Sequence, residues 1–103
     1  MALAMKIFLC GDVMLGRGID QVLPQPCAPR LHEAYMDSAV GYLRLAEEAN
    51  GPIPLPLGFA DVWGAALEEL NRARPHARIV NLETSITRSE DYLPKGINYR
   101  MSP

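Results

Sequence analysis

The stretch Gly11–Gly18, GDVMLGRG, follows directly on an apolar run, MKIFLC, at Met5–Cys10. Its glycines sit almost where a phosphate-binding loop places them, G-x-x-x-x-G-R-G against G-x-x-x-x-G-K-[ST]. The chemistry argues against that loop. Gly18 offers no side-chain oxygen for magnesium, Arg17 stands in place of lysine, and Asp12 brings negative charge to a loop that must collect it. A dinucleotide fingerprint fails too: Gly16 and Gly18 match its first two glycines, but Gln21 occupies the third position. The stretch therefore reads as the exit from a strand, with Met5–Cys10 buried on both faces as in a parallel sheet.

From that strand the reading runs outward. Gly11 to Arg30 is a loop with a short turn at Gly18–Val22, since Pro24, Pro26 and Pro29 forbid a long helix. Helical periodicity over Leu31–Asn50 gathers Leu31, Tyr35, Ala39, Leu43 and Ala46 on one face, and Asn50-Gly51-Pro52 stops it. Proline alternates with apolar residues in GPIPLPLG, which must be extended and lie in a surface groove. A second helix spans Ala60 or Asp61 to Ala73, with Phe59, Val62, Trp63, Ala66, Leu67 and Leu70 on its apolar face. Arg78–Leu82 is a second strand, and a polar tail carries a short strand at Ile97–Met101. Strand, helices, strand makes an α/β unit: two short parallel strands joined by a helical crossover.

Totals narrow the function classes. The 103 residues make one small domain, 49% hydrophobic and 21% charged, with net charge −2. No global basic field exists to recruit nucleic acid or an anionic membrane. Cys10 and Cys27 have neither metal-ligand nor disulfide-framework spacing, and Cys10 reads as a buried thiol. The first ten residues lack a basic segment and a small-residue cleavage site, and no window approaches the ~20 apolar residues of a membrane span. The expectation is a cytoplasmic chain with no membrane segment.

Asp12 follows the carboxyl end of the first strand, and Asn81 and Glu83 close the second. In open α/β sheets the site lies outside those ends. Two carboxylates about 4 Å apart repel by about 4 kcal/mol at an effective dielectric of about 20, so an Arg, a shared proton or a divalent metal should sit between them. Hard oxygen donors suit Mg²⁺ or Mn²⁺. A plainer account is equally open: Asp12 caps the next turn, and Glu83 pairs with Arg78 or Arg88.

Four separated segments carry a resemblance: FLCGDVMLGRGIDQVLP at Phe8–Pro24, NGPIPLP at Asn50–Pro56, RIVNLETSIT at Arg78–Thr87 and KGINYRMSP at Lys95–Pro103. Together they resemble the CapA family, associated with poly-γ-glutamate capsule biosynthesis. The resemblance implies a metallophosphoesterase-like β-sandwich with flanking helices and a metal site at the strand ends. It makes Asp12, Asn81 and Glu83 metal ligands for Mn, Mg, Zn or Fe. It makes Arg17, Lys95, Asn98 and Arg100 contacts for an anionic small molecule or polymer. Met14 departs from the pattern, standing where phosphoesterases of this fold place a histidine. Ala65 stands where the family often has aspartate. His32 and His76 match no family ligand. The family extends past the point reached at Pro103, so the chain reads as the N-terminal part, residues 1–103, of one CapA-like domain. Unpaired sheet edges are then expected, open to self-association. The implied activity is metal-dependent hydrolase or transferase chemistry, absent from the isolated piece. The alternative is a non-catalytic binding or assembly module of a polymer-synthesis complex.

Overall fold

A computed structural model describes residues 3–103; Met1 and Ala2, the start of the segment weighed as a leader, lie outside them. The apolar run continues through the glycine: β1 is Ile7–Val13 and includes Gly11 and Asp12. Val13 leads into a six-residue helix, α1, Arg17–Val22. The next helix, α2, Ala39–Asn50, starts eight residues later than the periodicity suggests. Ser38 explains the delay, because its Oγ accepts from the Val40 N–H and caps the helix there. The residues before it are instead folded back, with the Ala39 N–H donating to the Pro29 carbonyl at 2.7 Å and the Leu31 N–H to that of Asp37 at 2.8 Å. Tyr35, read as part of the helix's apolar face, is accordingly exposed. Gly51, at φ 86°, ends α2 where expected, in a conformation that favours glycine.

The Pro-rich segment is extended and pinned: the Leu57 N–H donates to the Val22 carbonyl at 2.7 Å, and the Ile53 N–H to Glu47 Oε1 at 3.1 Å. Ile53 and Leu57 line an apolar groove of about 350 Å³ with Ile19, Val22, Leu43 and Ala46, the groove that the alternation anticipates. A 3-10 turn at Asp61–Trp63 precedes α3, Ala65–Ala73, and the chain then enters β2, Ala77–Leu82. β3, Ser85–Ile86, pairs in parallel with β4, Arg100–Met101.

β1 and β2 are parallel, as the crossover reading requires. His76 locks their start: its N–H donates to the Lys6 carbonyl and its Nδ1 accepts from the Lys6 N–H at 2.9 Å. The register shifts by a bulge between Leu9 and Asp12, after which Asp12 faces Asn81.

The position of the core is a correction. β1 reads as buried on both faces, but Leu9 is 68% and Ile79 53% exposed, and Cys10 is exposed as well. Among the described residues little covers the sheet. The buried side chains are Val22, Cys27, Ala39, Asp20 and Glu33, all within α1, α2 and the loop between them. A radius of gyration of 16.5 Å, against about 13 Å for a compact chain of this size, reflects that lopsided packing.

Candidate functional site

Two segments leave the carboxyl ends of β1 and β2 side by side. From β1 comes Met14–Arg17; from β2 come Glu83, Thr84 and β3. Gly16 lets the first of them approach β4, since a Cβ there would collide with the Arg100 carbonyl oxygen. Asp20 ties the same region to the tail. Its side chain, 2% exposed as a residue, accepts from the Cys27 N–H at 2.7 Å and the Ser102 N–H at 2.8 Å.

At the sheet end, Asn81 Nδ2 donates to Asp12 Oδ1 at 2.5 Å. Asp12 thus caps no turn. The Glu83 N–H donates to the Val13 carbonyl at 2.9 Å, and its carboxylate takes neither suggested partner. Arg78 instead donates to Asn71 Oδ1 at 2.9 Å, and Arg88 to the Gln25 carbonyl and Ser102 Oγ. Asp12, Asn81 and Glu83 therefore share one edge and offer hard oxygen donors. Oxygen donors of this kind would suit one side of the shell of a hard cation. Among the described residues no group of three His, Cys, Asp or Glu side chains gathers to complete it.

Beyond that edge lies a cleft of about 680 Å³. Arg17, Lys95, Asn98 and Arg100, the four residues expected to meet an anion, all line it. Their roles there differ. Arg100 spends its guanidinium on the carbonyls of Ala28, Arg88 and Ser89, which leaves its charge but not a free bidentate fork. Asn98 closes the 93–98 loop, accepting from the Leu93 N–H and donating to the Leu93 carbonyl. Arg17 is paired with Glu33 at 2.5 Å. The Lys95 ammonium has no hydrogen bond or ion pair among the described residues.

The sequence reading missed Arg30, whose guanidinium is likewise unpaired there and lines the same cleft. It also missed the function of His32, which stacks on Tyr92 at 3.5 Å and 8° to form one wall. No periodicity marks either residue; Arg30 is one basic residue in a proline-broken loop. Four cations and two acids, Glu90 and Asp91, line the cleft. Near Asp20, burial first and then that carboxylate's charge push the Cys27 thiol up, so it stays protonated and inert.

Residues 6–103 match the family of bacterial capsule synthesis proteins, PGA_cap. Two curated relatives from Mycobacterium tuberculosis, strains CDC 1551 and H37Rv, are each 49% identical over 98 residues. Both are named probable polyglutamine synthesis accessory proteins. The match covers 94% of this chain and 26% of each relative, so the chain spans about a quarter of their length. No solved structure matches it.

Proposed function

The chain belongs to the bacterial capsule synthesis protein family PGA_cap, and on that premise we propose that its cleft recognises a carboxylate-rich polymer, as the binding part of an accessory protein in polymer synthesis. The observation that carries this is the meeting of Arg17, Arg30, Lys95 and Arg100 around one cleft just past the carboxyl ends of β1 and β2. Arg30 and Lys95 supply cations that have no ion pair or side-chain hydrogen bond among the described residues. Arg17 and Arg100 supply fixed charge. Tyr99 and the His32–Tyr92 stack give aromatic walls for the aliphatic part of such a polymer. The accessory names of the mycobacterial relatives favour binding over catalysis.

The test is fluorescence anisotropy with a labelled glutamate decapeptide. Replacing Arg30 and Lys95 together by alanine should weaken binding at least about tenfold at low salt. Wild-type binding should itself fade as the Debye length shrinks to about 8 Å at physiological ionic strength. Equal binding by wild type and the double variant overturns the proposal.

A second reading has its own observation. The bulge that sets Asp12 opposite Asn81, with Glu83 beyond, supports a half-site for a divalent cation in a larger metallophosphoesterase-like sheet. When bound, such an ion polarises a phosphoryl or carbonyl oxygen or activates water. This chain's part is to present oxygen donors at the strand ends and cations beside them. A metal that binds only the folded state raises its melting temperature. Mn²⁺ should therefore stabilise the wild type and leave Asp12→Asn unmoved; no shift in either removes the reading.

A further inference from the structure

We infer that Glu33 and Tyr42 are positioning residues for the cleft, holding the Arg17 guanidinium at one fixed orientation in its wall. The inference rests on the anion-binding reading above.

Glu33 comes from the folded-back loop before α2, and its side chain is 1% exposed. A carboxylate that deep needs partners for both oxygens. Oε2 accepts from the Tyr42 hydroxyl at 2.5 Å, while Oε1 lies 2.5 Å from Arg17 Nη2 as a charge pair without hydrogen-bond geometry. Rotation of the carboxylate breaks one contact or the other. The hydrogen bond to Glu33 pushes the Tyr42 hydroxyl up, so it remains a donor. The Tyr42 ring lies 5.3 Å and the Tyr99 ring 4.7 Å from the guanidinium carbon of Arg17, close enough for cation–π attraction from both. Nε and Nη2 are buried and donate no hydrogen bond among the described residues, so charge and ring contacts are what hold the guanidinium in the cleft wall.

The backbone adds a second argument. Arg17 sits at φ 55°, in the left-handed region, although glycines flank it on both sides. A non-glycine residue persists there only where its surroundings over-determine it. Arg17 also separates the polar cleft from the apolar groove of Val22, Leu43 and Ile53, whose low polarity strengthens its field.

Charge and geometry predict opposite signs, which makes the idea testable. Removing the Glu33 charge should strengthen anion binding if only Coulomb attraction matters. It should weaken binding if Arg17 must be held. The experiment titrates the labelled glutamate decapeptide into the full chain, as wild type, Lys95→Ala, Glu33→Gln and Tyr42→Phe, with a melting curve for each. Glu33→Gln should weaken binding about tenfold, and Tyr42→Phe about threefold, as a loosened support shell does. Tyr42→Phe keeps the ring and every charge, so it decides the matter should Glu33→Gln fail to fold. Weaker binding by Lys95→Ala with wild-type or tighter binding by Tyr42→Phe overturns the inference and leaves the cleft standing. Unchanged binding by Lys95→Ala removes the cleft reading and the inference with it.

Discussion

The two halves of this chain handle water in opposite ways. Around α1 and α2, a segment dense in proline, glycine and charge is the buried part. Asp20 gathers the Cys27 and Ser102 N–H groups, and Glu33 joins Arg17 to Tyr42. In the β1–β2 sheet, the most apolar segments of the chain leave Leu9, Ile79, Val80 and Leu82 exposed. Burial here follows the network of hydrogen bonds that fold the loops back, not local hydrophobicity. A two-stranded sheet has two faces and needs a packed layer on each. α3 supplies little of that cover: its apolar positions, Leu67 and Leu70, are only half-buried.

The contrast can be broken most forcefully at Asp20. Replacing it by alanine orphans two backbone donors from segments far apart in sequence, and should cost about 3 kcal/mol. Urea unfolding measures this; a loss as small as that of an exposed residue would mean that water already serves those groups. Next come the two cysteines, one in each half. Cys10 is exposed, whereas Cys27 is buried and its thiol is pushed up by burial and by Asp20. Iodoacetamide at pH 8 should therefore modify Cys27 about a hundredfold more slowly than Cys10, since Cys27 reacts only after local opening. Comparable rates, read by mass spectrometry, would show that the loop core opens as freely as the sheet. A paired truncation gives the smallest contrast. Val22→Ala should cost about 2 kcal/mol, and Leu9→Ala less than about 0.5 kcal/mol. A large loss at Leu9 would reveal a cover over the sheet in solution.

Much of the architecture is legible in the residues. The two strands, their parallel pairing and the stop at Gly51 follow from apolar runs and from Gly and Pro punctuation. What misleads is tertiary override. Leu31 and Tyr35 fit the helical period, but Ser38 caps α2 and the preceding residues bond back to Pro29 and Asp37. Cys10 lies in an apolar run yet faces solvent, because burial depends on a covering layer that periodicity does not report. In the site, Arg17, Lys95, Asn98 and Arg100 are identifiable from their motifs, and they do converge. Their division into free and committed groups is not identifiable, since it depends on carbonyls supplied by residues as distant as Ala28. Glu33 and Tyr42 lie in a stretch whose periodicity suggests only packing, and their pairing appears once the loop turns back.

The parallel register of β1 and β2 also sets a schedule for the growing chain. β1 emerges before its partner, whose first residue, Ala77, pairs with Ile7 from 70 residues before it. At about 5–20 residues per second of translation, an apolar strand waits several seconds for the strand that pairs with it. Through that interval Lys6 and Asp12, the charges on either side of IFLCG, are its local defence against joining the wrong edge. Neutralising either should therefore show first as insoluble product during synthesis, before any change in the purified protein.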